Sequence, residues 1–269
     1  MKVKRRNIGL KHDFYFFTQR LIYLIKNKFF SINNHKYLFI LSPPYSGSTL
    51  LTQVLSTSKN ISCNNHIATM EGQLLPEVRD FMYKKNRWNK NINYDWKKIK
   101  SIWMKYWDLS KPILMDKTTT NIMRVDEIKK NFKDIYLVLL VRNPYAVVEG
   151  IIRRNNKSVE FASNFVLKTL KYQKENFEKN KNCLLITYSE VCDKQSMVKK
   201  KIKSFLPEIG ELNFNKHFKA HNFKKKSLKI TNLNEEKIKK IKASDLTLIN
   251  SFFIKEKELL DFFNFKIIT

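Results

Sequence analysis

Blocks of apolar residues separated by polar turns set the frame of this chain. Residues 37–41, Tyr-Leu-Phe-Ile-Leu, form a run too short for a buried helix and rich in aromatic and branched side chains, so they predict a strand. A polar loop follows, then residues 49–55, whose apolar positions recur at helical spacing. The same change of period repeats downstream. Residues 112–118 predict a second strand, followed by a helix over 123–132. Residues 135–141, Ile-Tyr-Leu-Val-Leu-Leu-Val, are nearly all apolar, as expected for a strand covered on both faces in a parallel sheet. Pro144 suits the first turn of the helix after it. A long helical pattern over 159–179 leads to a fourth strand at 183–188. Strands alternating with helices place the chain in the α/β class with a parallel sheet.

Ahead of this frame, residues 13–25 predict an amphipathic helix with Asp13 as its N-cap. Residues 1–36 then form an N-terminal helical extension to a domain over 37–269. After the fourth strand come a short helix at 197–206 and two closing helices starting at Asn234 and Ser244. Residues 259–268 carry an apolar face expected to dock on the sheet. Residues 81–107 are rich in Trp, Tyr, Lys and Asn. Ile99, Trp103 and Tyr106 at helical spacing read as a core stripe, and the segment as a whole is a candidate wall for an acceptor molecule.

Candidate chemistry begins in Ser42-Pro-Pro-Tyr-Ser-Gly-Ser-Thr-Leu-Leu51, between the first strand and its helix. Backbone N–H groups of Ser46, Gly47, Ser48 and Thr49 converge there at a helix N-terminus, which favours a phosphate or sulfate. Gly47 permits close approach, and three hydroxyls add donors. A nucleoside-triphosphatase loop needs G-x-x-x-x-G-K-[ST]. Here the first glycine position is Ser42 and the lysine position is Ser48, which disfavours that class.

Tyr45-Ser-Gly-Ser-Thr-Leu50 resembles the 5′-phosphosulfate loop of sulfotransferases, Arg/Lys-Ser-Gly-Thr/Ser-Thr-Leu, with Tyr45 in place of the basic residue. The resemblance continues in order along the chain. Glu71, Gln73 and Pro76 align with the Glu-x-Arg-x-x-Pro segment of tyrosylprotein sulfotransferases, Gln73 standing where the arginine would be. Asp116-Lys117-Thr118-Thr119 is similar to the family's Glu/Asp-Lys-Thr/Ser/Asp-Pro, with Thr119 replacing the proline. Val141-Arg-Asn-Pro144 matches Val-Arg-Asn/Asp-Pro, but Gly150 occupies the family's serine position eight residues after the arginine. Tyr188-Ser-Glu-Val191 resembles the Tyr-Glu-x-Leu element. The resemblance implies a P-loop-like three-layer α/β/α fold and transfer of a sulfonate from 3′-phosphoadenosine 5′-phosphosulfate (PAPS), with no metal. It further implies Glu71 as base, Lys117 on the sulfonate, residues 45–49 at the 5′ side of the cofactor, Arg142 and position 150 at its 3′-phosphate, and Tyr188 beside it. His66 is the next candidate base. In relatives a C-terminal segment folds over the cofactor, which makes Lys224, Lys225 and Lys226 candidates for a lid.

Composition adjusts this picture little. A formal net charge of +28 over 269 residues attracts polyanions, but the lysines are spread along the whole chain, so no specific nucleic-acid face is expected. Cys63, Cys183 and Cys192 show no disulfide framework or metal spacing, which points to a reducing, cytoplasmic setting. His217 and His221 share a helical spacing but lack a third ligand nearby. No apolar run reaches spanning length. Peripheral membrane contact through residues 13–30 is open, since Lys and Arg flank the first helix. The acceptor, whether carbohydrate, small molecule or peptide tyrosine, is not legible. Two other functions stay open: a nucleotide kinase with a degenerate phosphate loop, and a sulfotransferase-fold binding protein for an anionic partner, left without turnover by the departures at Tyr45, Gln73 and Gly150.

Overall fold

Five parallel strands organise the computed structural model, which describes residues 10–215, 218–219 and 227–268. In chain order, α1 (Leu10–Phe30) leads to β1 (Lys36–Leu41), α2 (Ser48–Leu55) and β2 (Ile61–Cys63). Helices α3 (Pro76–Met82) and α4 (Trp96–Met104) precede β3 (Ile113–Asp116), then α5 (Val125–Asn131) and β4 (Ile135–Val141). Next are α6 (Pro144–Asn155), α7 (Val159–Lys179), β5 (Cys183–Thr187), α8 (Tyr188–Asp193) and α9 (Gln195–Phe205). The described chain closes with α10 (Asn234–Ile238), α11 (Ala243–Phe253) and α12 (Lys257–Phe262).

The strands pair in the order β2-β3-β1-β4-β5, all parallel. Alternation along β1 explains the layering. Leu38 and Ile40 face a core shared with Leu51, Val54 and Ile202, while Phe39 and Leu41 face one built with Trp103, Trp107 and Phe132. A third cluster joins Val141 to α6, α7, α11 and α12. Helices therefore cover both faces of a central parallel sheet, as the resemblance implied.

Three expectations change. The polar stretch at 56–65, where the first helix is expected to end and no strand is predicted, contains edge strand β2. Its three residues pair with β3 from Ile61 opposite Ile113, and flanking Ser and Asn hide so short an apolar signal. Asp13 lies inside α1 instead of capping it. Ile99, Trp103 and Tyr106 are core residues, as their spacing predicts, with Trp103 wholly buried against Phe39, Trp96 and Trp107. Finally, the C-terminal apolar residues, such as Leu259, Leu260 and Phe263, pack with the α6–α7 layer one step out from the sheet. His217, His221 and the lysines at 224–226 lie outside the described residues.

Gly47 turns the chain from β1 into α2 with φ at +87°. A Cβ there would sit 2.5 Å from Cδ2 of Tyr188, whose ring is itself buried. Both the left-handed backbone and the missing side chain are therefore required. Gly47→Ala is expected to destabilise the fold by about 2 kcal/mol or more, read as a lowered midpoint in urea unfolding.

Candidate active site

All five strands end at one edge, and the chain leaving each supplies the polar groups found there. In an open parallel sheet, ligands bind outside this carboxyl edge. Because β1 lies between β3 and β4, its loop at 42–47 is flanked by Lys117 on one side and Arg142 on the other.

Lys117 follows β3 and is only 1% exposed. Its Nζ lies 3.4 Å from Oε1 of Glu71 and also donates to the carbonyl of Thr69. Glu71 is buried too, and its Oε2 accepts from Nε2 of Gln73. Gln73 thus orients the carboxylate, while its own N–H donates to Thr118 Oγ1 at 3.1 Å. Beneath this pair, Asp116 fixes the loop. Its Oδ1 accepts from Asn64 Nδ2 at 2.9 Å and from the Gly72 N–H at 3.0 Å; its Oδ2 accepts from Asn121 Nδ2 at 2.9 Å. Complete burial pushes the Asp116 carboxyl up to about 6, against the pull of these donors and of Lys117.

On the other flank, Arg142 leaves β4. Its Nε donates to Asn234 Oδ1 at 2.7 Å and its Nη1 to the Tyr45 carbonyl at 3.0 Å. The guanidinium stacks 3.9 Å from the Tyr188 ring centroid. Tyr188 therefore braces both Gly47 and Arg142, and its hydroxyl donates to the Thr231 carbonyl at 3.0 Å. It opens α8, held by a capping box in which Thr187 and Glu190 satisfy each other's backbone N–H. Among the described residues, Arg142 Nη2, Ser46 Oγ and Ser42 Oγ are buried without a hydrogen-bond partner. Buried donors are rarely left so.

The structure gathers the predicted residues 45–49, Arg142, Gly150 and Tyr188 around one loop, with Glu71 and Lys117 on its β3 side. Thr49 Oγ1 reaches toward the Thr69 carbonyl at 3.4 Å, joining the loop to the Lys117 segment. His66, the reserve base, is exposed. Gly150 is filled from outside: a Cβ there would meet Tyr45 Cγ at 3.0 Å and Lys237 Nζ at 3.4 Å.

Lys237, on α10, was not singled out from the sequence. It is largely buried and bonds Glu149 Oε2 at 2.9 Å. Burial pushes its ammonium down, and Arg142 nearby adds to this, while Glu149 opposes it. Burial alone would raise the Glu149 carboxyl, yet Arg153 and Lys237 together hold it below its ordinary range. The one sequence signal for Lys237 was its place in a helix start; nothing local links it to residues near 150. Among the described residues, no cluster of His, Cys, Asp and Glu is arranged to hold a metal.

The model for the sulfotransferase family matches residues 38–206, more than half of the chain, and the protein belongs to that family. Its fold is similar to the sulfotransferase domain from the curacin biosynthetic pathway, at 17% identity and a TM-score of 0.56 over 87% of this chain and 99% of that one. It is also similar to the sulfotransferase domain of the Synechococcus PCC 7002 olefin synthase, at 17% identity and 0.51 over 82% and 96%. A sulfotransferase from Alicyclobacillus acidocaldarius matches at 11% identity and 0.51 over 86% and 97%. At these identities the likeness is one of fold. No curated protein matches the sequence.

Asp116 yields a pH test. The native carboxyl takes its proton near pH 6, whereas an unfolded aspartate does so near pH 4. The native state therefore binds more protons between these values, and stability from this group, complete below about pH 4, is lost as pH rises to about 6. Measured by urea unfolding, wild type is expected to lose up to about 3 kcal/mol relative to Asp116→Asn across that window.

Proposed function

We propose that the protein transfers a sulfonate from PAPS to a hydroxyl or amine acceptor by in-line displacement. The observation that carries this reading is the sheet order, which flanks the β1 loop with two buried cations. A nucleotide with an anionic group at each of its 3′ and 5′ positions fits such a place. Arg142 Nη2 and Ser46 Oγ are buried donors with no partner among the described residues, and the first turn of α2 leaves N–H groups without helical acceptors. Ser46, Gly47, Ser48 and Thr49, with α2 behind them, would hold the 5′ side of the cofactor. Arg142 would hold the 3′-phosphate by charge-assisted bonds, with Lys237 next to Gly150 in the place of a serine hydroxyl. Tyr188 keeps the guanidinium in position.

PAPS supplies the sulfonate and departs as the 3′,5′-bisphosphate. Glu71 takes the proton of the acceptor as it attacks, and Lys117 offsets negative charge that grows at the transferring group. Gln73 keeps the Glu71 carboxylate turned toward Lys117. Replacing a buried ion pair by apolar residues is often neutral or stabilising. Keeping Glu71 and Lys117 together at a ligand-binding edge therefore favours a chemical role over a structural one.

Thermal unfolding with 3′-phosphoadenosine 5′-phosphate tests the donor, with ATP and magnesium as the comparison. At about a hundred times its dissociation constant, the bisphosphate is expected to add about 2.7 kcal/mol and raise the midpoint by roughly 5 to 10 °C. Arg142→Ala should abolish most of that shift. An equal shift with ATP and magnesium would move the kinase reading ahead, and no shift with either would count against PAPS.

Glu71→Gln separates chemistry from binding. It is expected to keep the bisphosphate-induced shift and to lose turnover by about a hundredfold or more, measured with labelled PAPS. Full turnover in that variant would remove Glu71 as the base.

A further inference from the structure

Helix α1 is amphipathic in the inverted sense. Its contacts with the rest of the protein are largely polar. Gln19 Nε2 donates to the carbonyls of Asn64 and Tyr106 at 3.1 and 2.9 Å, and Lys26 Nζ meets Asp108 Oδ2 at 2.6 Å. Asn27 brackets the turn before β3, donating to the Trp107 carbonyl and accepting from the Leu109 N–H. Arg20 and Asp13 reach α3 through Glu77 and Arg79. Phe16 is the one large side chain of the helix that is fully buried.

The opposite face is apolar and open. Taking about 100° per residue, Phe14, Phe17, Leu21, Ile22, Leu24 and Ile25 share one broad arc, joined by Phe29. Phe14 is 68% exposed, Phe17 63%, Leu24 69% and Phe29 69%. Helices of globular proteins normally bury such a stripe, and a patch of this extent marks a docking surface.

Charge decides what docks. Residues 1–30 contain eight basic residues, Lys2, Lys4, Arg5, Arg6, Lys11, Arg20, Lys26 and Lys28, and a single acid, Asp13. Asp13 faces Arg79 at 3.6 Å. Lys28 lies within the apolar arc and Lys11 at its border, and the helix's one carboxylate, Asp13, is turned to Arg79. A second copy would set this face and a net charge of +28 against their like, which is repulsive. An anionic lipid surface supplies both an apolar layer and opposite charge, about 1 kcal/mol per basic residue near it. The helix has the pattern of one that lies in the plane of an interface, with its lysines extended to the headgroups. Among the described residues, no helix is long and apolar enough to cross a membrane.

We propose that α1 docks the protein on the surface of an anionic bilayer. Phe14, Phe17, Leu21, Leu24 and Ile25 enter the headgroup boundary, while Gln19, Lys26 and Asn27 hold the domain to the helix. The carboxyl edge of the sheet is then fixed relative to the membrane, because Gln19 binds the chain just after β2 and α1 grips α3, which follows Glu71.

The test is flotation of the full chain with vesicles of phosphatidylcholine alone or with one-third phosphatidylserine. Wild type is expected to float with the anionic vesicles, less so as salt rises. The triple variant Phe17→Ser, Leu21→Ser, Leu24→Ser should lower the partition coefficient by about tenfold or more, with an unchanged unfolding midpoint because all three side chains are exposed. Lys11→Gln with Lys28→Gln keeps the apolar face and should weaken binding to anionic vesicles while leaving the neutral ones unaffected. Equal flotation of wild type and both variants would overturn the proposal. So would a wild-type dimer in solution that the triple variant abolishes, with no vesicle binding, since the face would then serve a second copy of the chain.

Discussion

Parallel pairing in the order β2-β3-β1-β4-β5 is the constraint from which the rest follows. A parallel sheet buries both faces, so its strands can carry few polar side chains except where they end. Burying a charge at such an end costs several kcal/mol unless it is paired. The fold meets that cost locally in each case. Lys117 has Glu71 and a carbonyl, Asp116 has side-chain amides and an N–H, and Arg142 has Asn234, a carbonyl and a ring face. The candidate site lies at the carboxyl edge because there the chain leaves the sheet with enough polar partners to hold ions out of water.

The same edge needs its backbone satisfied. Gln173, on α7 and fully buried, donates through Nε2 to the carbonyls of Leu41 and Leu140 at 2.8 and 3.3 Å. These carbonyls belong to β1 and β4, next to the departing loop and Arg142. A helix packed on the sheet thus reaches through its apolar layer to satisfy strand ends, which a continuous apolar helix face would leave bare. Asn176, also on α7, donates to the Ile122 carbonyl at 2.7 Å in the helical turn between β3 and α5.

How much of this was legible depended on whether a signal was local. Four strands were visible because β1, β3, β4 and β5 are apolar runs bounded by turns, and Pro144 marked its helix start. Strand β2 was hidden, since three residues between serines and asparagines carry no periodicity. Residues 45–49, Lys117, Arg142 and Tyr188 lie within short motifs just past a strand, so their convergence followed once the strands paired, whereas Glu71 and Gly150 lie further along the chain. What the sequence concealed is contact between distant segments. Lys237 beside Gly150, Gln173 under β1 and the polar anchoring of α1 join residues dozens of positions apart. For α1, the apolar period was plain, but which face met the protein was not: periodicity locates a stripe without saying what it faces.

Two departures from the family pattern are one physical change. Tyr45 replaces a basic residue and Gly150 replaces a serine, and the ring of Tyr45 lies where a side chain at position 150 would begin. A serine there would press a Cβ to 3.0 Å from that ring and 3.4 Å from Lys237 Nζ. Tyr45 is held in a left-handed conformation, φ +67°, by Arg142 on its carbonyl and by its own hydroxyl on Asn155 at 2.7 Å. The cation lost at position 45 is not lost to the neighbourhood. Arg154 lies 5.5 Å from the Tyr45 ring centroid, and Arg153 and Lys237 share the single carboxylate of Glu149. Two cations on one anion leave a net positive charge beside the loop, in a partly buried place where screening is weak. Positive charge beside the loop is thus supplied from α6 and α10, and the bulk of the tyrosine fits because position 150 is a glycine.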